Sequence, residues 1–229
     1  MATCLSTLVS LKKLCLEFGY SSLSPLRNLH PAASTTYSVL PALTIFYFRG
    51  FSEYLEDLVA LIDVPQLYYF SITFINQRMI DPPQLDTPQL ALFLGRTTRF
   101  KAKATDTAGV AFDNFSPRVS LISRTFQRTW FKVMILRAES RADRQLSSLT
   151  QVCSSSLPTI STLENLYIYN DSISPLTWRG DLENMLWLRL LHPFNYVKNL
   201  YLAEEIVPRI APVLRELVQS GMTEVFPAL

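Results

Sequence analysis

A nine-residue apolar phrase, L-x-x-L-x-x-L-x-L, recurs along the chain and constrains its fold more than any other feature. Its copies occupy residues 8–16, 40–48, 64–72, 160–168 and 194–202. Alternate residues of a strand share one face, so the last three positions of each copy predict a short strand with two apolar side chains on one side. One such unit cannot bury that side alone, and the copies are therefore expected to stack.

Segments with helical spacing lie between the copies. Four helices are predicted to begin at Ser52, Thr87, Asp143 and Asp181. Ser52 and Thr87 are of the residue types that cap helix N-termini. The apolar stripes of the first, third and fourth helices consist of Leu55, Leu58, Val59, Ile62, Leu146, Leu149, Val152, Cys153, Leu182, Met185, Leu186 and Leu190.

The alternation of strands and helices predicts an α/β fold. A last helix contains Pro208 and Pro212, so we expect its first turns to be irregular before residue 213. Strand–helix–strand units are expected to place parallel strands side by side through right-handed crossovers. The predicted architecture is a leucine-rich-repeat-like solenoid, with a curved parallel sheet on one face and helices on the other.

Residues 1–229 are expected to form a single irregular solenoid, and residues 97–128 fit it worst. Short strands are predicted at residues 110–112 and 119–122, a loop at 104–109, and a clearer strand at 131–136. The chain begins within one copy, and residues 225–229 resemble the opening of another. We therefore expect a solenoid that is cut within a repeat at both ends.

Composition favours a protein with a large core, because 48% of the residues are hydrophobic and 17% are charged. The net charge of +2 is too small to predict a nucleic-acid partner. Residues 96–144 nevertheless hold eleven Lys or Arg against four acidic residues. This basic segment indicates either a partner site or ordinary solvated charge on loops and helix backs.

The cysteines and the N-terminal residues favour an intracellular protein. Cys4, Cys15 and Cys153 lack a paired spacing, which is typical of a reducing compartment, and Cys15 and Cys153 are predicted to be small core residues. Lys12 and Lys13 interrupt the first apolar run, which argues against a signal peptide. No apolar segment approaches the roughly 20 residues that span a bilayer. We expect a cytoplasmic or nuclear location without a membrane partner.

The sequence contains no motif that indicates catalysis. His30 and His192 each precede a proline outside any zinc-binding spacing, so both are predicted to be turn residues. The chain has six glycines and no G-x-S-x-G, P-loop or G-x-G-x-x-G sequence. The prediction is a protein that is not an enzyme, with no catalytic residue, no cofactor and no metal.

The strand residues that face away from the core are the candidates for partner binding. One outward residue per strand is predicted, namely Cys15, Tyr47, Ser71, Met134, Tyr167 and Tyr201. Tyr169 lies two positions beyond Tyr167 and shares its face. Tyrosine is favoured at binding hot spots, so the candidate residues are Tyr47, Met134, Tyr167, Tyr169 and Tyr201. The alternative is that these tyrosines only cover neighbouring rungs of the sheet.

Four stretches carry a family resemblance, at residues 40–67, 84–97, 146–169 and 187–218. Over about residues 5–229 the chain resembles the C-terminal region of F-box-type, leucine-rich-repeat-like proteins of mushroom-forming fungi. The resemblance implies repeats that recruit a target protein, while an F-box docks onto a cullin-based ubiquitin ligase. No F-box is visible here, so ligase subunits are implied as partners only if the full gene product carries one.

Two hypotheses about function follow. The first is a non-catalytic protein-binding repeat module that resembles the target-recognition region of a ubiquitin-ligase adaptor. The second is a truncated paralogue with a structural or vestigial role and no dedicated partner. The identity of any bound protein does not follow from the residues, because the resemblance transfers no functional residue.

Overall fold

A computed structural model describes residues 7–19, 37–75, 87–97, 105–113, 116–123, 128–136, 142–155, 157, 163–172, 178 and 183–219. The strands of these segments are β1 Lys13–Glu17, β2 Ser38–Val39, β3 Ile45–Gly50, β4 Ile62–Asp63, β5 Tyr69–Ile75, β6 Thr105–Phe112, β7 Arg118–Ser123, β8 Arg128–Leu136, β9 Asn165–Asn170 and β10 Asn199–Leu202. The α-helices are α1 Ser52–Val59, α2 Pro88–Arg96, α3 Ala142–Ser155, α4 Glu183–Leu191 and α5 Val207–Gln219. A 3-10 turn, His192–Phe194, follows α4.

Eight of the strands form one mixed sheet, in the order β1-β3-β5-β8-β7-β6-β9-β10. Neighbouring strands are parallel except where β7 pairs, because β7 runs antiparallel to both β6 and β8. Strands β2 and β4 form a separate parallel pair. The α/β class with a large, mostly parallel sheet is therefore confirmed, whereas the expectation that every strand is parallel is wrong at β7.

The middle of the sheet departs from sequence order because β6, β7 and β8 form a meander. Five residues separate β6 from β7 and four separate β7 from β8, which is too few for a parallel crossover. The meander lies reversed between its neighbours, so that β5 pairs with β8 and β6 pairs with β9. The short strands predicted at 110–112 and 119–122 are confirmed within β6 and β7, and the strand at 131–136 within β8.

The loop predicted at residues 104–109 is wrong from residue 105 onward, where β6 begins. Ala108 and Gly109 gave this segment the composition of a loop. Pairing with β7 on one side and β9 on the other overrides that local preference. The absent side chain of Gly109 has a packing role, since a Cβ there would lie 2.8 Å from Ser120 Oγ.

The recurring phrase produces a recurring geometry. Lys12, Thr44 and Glu164 occupy the same position in three copies. The main-chain carbonyl oxygen of each accepts hydrogen bonds from two consecutive N–H groups of the neighbouring copy, at 2.7–3.1 Å. The phrase residues that lead into β3, β5, β9 and β10 are fully buried, namely Leu40, Leu43, Val64, Leu67, Leu163 and Val197. Stacking of the copies on a shared core is the physical result.

The core lies between one face of the sheet and the helices. The inward strand residues join the apolar sides of α1 to α5 in a single cluster. Phe70 lies at its centre, stacked on Phe46 at 4.9 Å and edge-on to Phe93 and Phe131. At 14 residues α3 is the longest helix described, and no helix in the described segments has the length and apolar character of a membrane span.

Most of the predicted helical stripes are buried, with two corrections. The four residues predicted for α3, from Leu146 to Cys153, are buried. Met185 of α4 is instead 41% exposed, whereas Trp187, two residues further along, is fully buried in the core. Ile62 is buried but belongs to β4, because α1 ends at Val59. Asp181, the predicted start of the fourth helix, and Leu182 of its stripe lie outside the described residues.

The last helix is more regular than its prolines suggested. Helix α5 begins at Val207 and continues through Pro212. Pro208 lies in the first turn, where the main-chain N–H groups have no partner within the helix, so it costs no hydrogen bond. The expectation of irregular turns before residue 213 is wrong, although Pro212 lies inside the helix and lacks the N–H that would bond to the carbonyl oxygen of Pro208.

Helices α1 and α2 are joined by reciprocal contacts at their ends. The carboxylate of Glu56 accepts hydrogen bonds from the N–H groups of Gln89 and Leu90, at 2.7 and 2.8 Å. In return, Arg96 Nη2 donates to the Val59 carbonyl oxygen at 2.8 Å and to that of Ile62 at 3.3 Å. An acid therefore caps the N-terminus of α2 and a base caps the C-terminus of α1.

Of the two predicted N-caps, Thr87 is confirmed in position and Ser52 is wrong. Ser52 is the first residue of α1 rather than its cap, and its hydroxyl donates to Glu53 at 3.2 Å. Thr87 occupies the N-cap position of α2, but its side chain makes no capping hydrogen bond. The Glu56 carboxylate supplies the acceptor, because the stacking of α1 beside α2 brings it there.

Candidate functional site

One residue from each strand of the large sheet joins a continuous row on the face opposite the helices. In spatial order this central row consists of Cys15, Tyr47, Ser71, Lys132, Ser120, Gly109, Tyr167 and Tyr201. The residues on either side of each member point into the core, as Phe46 and Phe48 do around Tyr47. The central row therefore lies along the open face of the sheet.

A second row runs beside the central row, two residues further along each parallel strand. It consists of Glu17, Arg49, Thr73, Met134, Arg118, Ala111 and Tyr169. Met134 was predicted to align with Tyr47, and this register is wrong by two residues, since Lys132 occupies that position. A two-residue shift keeps Met134 on the open face but changes its neighbours.

Two tyrosines form a stacked pair at one end of the central row. The ring centroids of Tyr167 and Tyr201 lie 4.3 Å apart, and the angle between the ring planes is 8°. Tyr167 is 40% exposed and Tyr201 is 46% exposed. Desolvation raises the pKa of the Tyr167 phenol, with further contributions from Tyr201 and Asp106. The pair therefore offers a flat apolar surface edged by neutral hydroxyl groups, a combination common at protein interfaces.

A second aromatic pair lies toward the other end of the face. Tyr47 is 38% exposed, and its ring lies 5.3 Å from that of Tyr69 on the adjacent strand. Lys13 Nζ lies 5.2 Å from the Tyr47 ring, within the range of a cation–π contact. Tyr69 was not among the predicted residues, although its position two residues before Ser71 places it on the same face.

The centre of the open face carries positive charge. Arg118 forms an ion pair with Asp171 and lies 5.9 Å from the Tyr169 ring. Burial lowers the pKa of the Lys132 ammonium, and the nearby charge of Arg118 lowers it further. Lys132 was not predicted at this position, because no phrase precedes β8 to fix its register.

Tyr169 and Met134 are less accessible than the other three candidates. Both are half-buried. The Tyr169 ring covers Gly109, with its hydroxyl and Cε1 atoms 3.5 Å from where a Cβ of Gly109 would lie. The position of Tyr169 matches the alternative interpretation, in which a tyrosine only covers the neighbouring strand. Tyr47, Tyr167 and Tyr201 extend further into solvent.

The predictions for the cysteines and histidines have mixed outcomes. Cys15 is exposed in the central row, so its prediction as a core residue is wrong, because its side chain alternates with Leu14 and Leu16. Cys153 is buried, and burial raises the pKa of its thiol. His192 starts the 3-10 turn, which confirms its prediction as a turn residue. Cys4 and His30 lie outside the described residues.

The basic segment at residues 96–144 divides between the two faces. Arg96 lies on the helix side, where it caps α1 and lies 4.3 Å from the Tyr37 ring. Arg118 and Lys132 lie on the open face. Part of the basic segment is therefore structural on the helix side, and part of it lies on the open face.

The described side chains include no cluster of three or more His, Cys, Asp or Glu residues that could hold a metal ion. The open face instead combines exposed aromatic rings with ammonium, guanidinium and hydroxyl groups. Aromatic and guanidinium side chains are enriched at protein–protein interfaces. Comparisons with protein-family models, with curated protein sequences and with solved structures find no match to this chain.

Proposed function

We propose that the chain is a non-catalytic protein-binding repeat module and that the open face of its large sheet binds the partner. The observation that carries this proposal is the central row, where Tyr47, Tyr167 and Tyr201 are 38–46% exposed on one surface. Exposed aromatic side chains on a rigid strand lose little conformational entropy when a partner covers them. Such residues contribute most of the binding free energy at many interfaces.

The repeat nature of the fold supports the same proposal. The phrase copies stack through equivalent carbonyl hydrogen bonds, and the rungs line one face, as expected of an irregular leucine-rich-repeat-like solenoid. Solenoids of this kind present extended surfaces to other proteins. The reversed meander of β6 to β8 is then an irregular central repeat.

The resemblance to fungal F-box-type proteins extends the proposal to a biological setting. In that setting the open face is the target-recognition surface of a ubiquitin-ligase adaptor. Attachment to the ligase requires an F-box elsewhere in the full gene product. The described residues of the open face do not depend on that attachment, so target binding is testable with this chain alone.

The test is a quantitative pull-down from fungal lysate with the wild-type chain and a Tyr167→Ala/Tyr201→Ala variant. We expect proteins enriched on the wild type to be reduced about 30-fold or more on the variant, since hot-spot losses are about 2 kcal/mol or more. Tyr196→Ala is the matched control, because Tyr196 is 62% exposed but lies in the turn before β10.

Two outcomes contradict the proposal. One is a partner that binds the folded double variant and the wild type equally well. The other is a wild-type chain that enriches no specific protein, with or without an added F-box. A melting temperature and a circular dichroism spectrum for each variant establish that it is folded.

A further inference from the structure

The charges of the open face do not balance. Four cations lie in the central row or two residues from it along a strand, namely Lys13, Arg49, Arg118 and Lys132. Arg49 is neutralised by Glu17 at 2.9 Å, and Arg118 is paired with Asp171. Within the described residues, Lys13 and Lys132 have no carboxylate partner. Two positive charges therefore remain among hydroxyl groups and aromatic rings in this part of the face, while the carboxylate of Asp106 acts on Tyr167 toward the other end of the central row.

Lys132 is the more constrained of these two cations. It lies near the middle of the central row, with Ser71 on one neighbouring strand and Ser120 on the other. It is half-buried, and the guanidinium group of Arg118 lies close enough to oppose its protonation. A partly desolvated cation beside a second cation is costly in the free protein, and an anion from a partner relieves that cost.

Resting on the proposed binding role of this face, we propose that the partner contributes an acidic, extended segment of protein chain. A carboxylate of that segment binds Lys132, and apolar side chains to either side of it cover the two tyrosine pairs. Complementary charge at a surface already rich in aromatic residues gives such a segment both its orientation and its selectivity.

The spacing of the strands predicts the spacing of the segment. Strands lie about 4.8 Å apart, so Lys132 is roughly 10 Å from Tyr47, two strands away, and roughly 14 Å from Tyr167, three strands away. A chain that crosses the strands in extended form advances about 3.3 Å per residue. The acidic residue is therefore expected about three residues from the apolar side chain that covers Tyr47 and about four residues from the one that covers Tyr167.

Display selection of random twelve-residue peptides against the full chain tests this inference. The wild type is expected to enrich peptides with Asp or Glu flanked by aromatic or aliphatic residues at the spacing above. We expect these peptides to bind Lys132→Gln about tenfold more weakly, the loss typical of a charged hydrogen bond. Lys132→Glu is expected to select Lys and Arg instead.

The control is Lys12→Gln, which removes the same charge from an exposed position just before β1. Its selected peptides should match those of the wild type. Peptides without acidic enrichment, or peptides that bind Lys132→Gln as tightly as the wild type, overturn the inference. The folding of every variant is checked by its melting temperature before selection.

The outcomes separate this inference from the function on which it rests. Peptides weakened by Tyr167→Ala/Tyr201→Ala but not by Lys132→Gln refute the acidic segment and leave the binding face intact. Peptides indifferent to both changes, or a selection that yields no binder, count against both. Peptides weakened by both changes support both.

Discussion

Replacement of Glu56 by alanine should destabilise the protein through a helix that does not contain Glu56. Its carboxylate accepts two hydrogen bonds at the N-terminus of α2, at 2.7 and 2.8 Å. Loss of a cap costs about 0.5–2 kcal/mol, and loss of a negative charge at a helix N-terminus costs a further 0.3–1 kcal/mol or so. Because Glu56 is half-buried, we expect a decrease of about 2 kcal/mol in the free energy of unfolding.

Urea unfolding followed by circular dichroism measures this change, and thermal melting should show a decrease of about 4–8 °C. Asp57→Ala is the matched control, because Asp57 is the next residue of α1 and is exposed. That variant should change the free energy of unfolding by less than about 0.5 kcal/mol. Glu56→Gln keeps an acceptor oxygen but loses the charge, so its effect should be intermediate. Equal effects of Glu56→Ala and Asp57→Ala would refute the capping argument.

Three further predictions concern the open face and the core. Because the pKa of Lys132 is lowered in the folded state, the unfolded state binds its proton more tightly. Lys132→Met should therefore stabilise the fold at neutral pH, and this gain should shrink as alkaline pH deprotonates Lys132. A decrease in melting temperature for Lys132→Met would contradict this. Gly109→Ala should cost about 1 kcal/mol because its methyl group meets Ser120 Oγ, and adding Ser120→Ala should recover most of the loss in a urea titration. Ellman's reagent followed by peptide mapping should label Cys15 in the native protein and Cys153 only after unfolding; rapid native labelling of Cys153 would argue against its burial.

The register of the strands could be predicted wherever a complete phrase precedes them. Tyr47, Tyr167 and Tyr201 follow the same apolar anchors by the same number of residues, and the structure places all three in the central row. Lys132 and Met134 lack such anchors, because β8 follows β7 after four residues rather than after a phrase. Their order in the sheet depends on pairing between distant strands, which a local pattern does not encode.

The contacts between helices could not be predicted from the sequence for a related reason. Local rules selected Ser52 and Thr87 as caps, since both are of the right type at the right place. The acceptor at α2 is instead Glu56, which lies 33 residues before Gln89 in the chain. Stacking of the copies supplies this cap, so it becomes visible only once the tertiary arrangement is known.

Hydroxyl-radical footprinting most directly tests the proposal that a protein partner binds the open face of the sheet. The full chain is oxidised alone and in complex with the protein most enriched in the pull-down. We predict that binding protects the exposed rings of Tyr47, Tyr167 and Tyr201 from oxidation and leaves Tyr196 unchanged. Unchanged oxidation of these three strand tyrosines, with protection elsewhere on the molecule, would contradict the account.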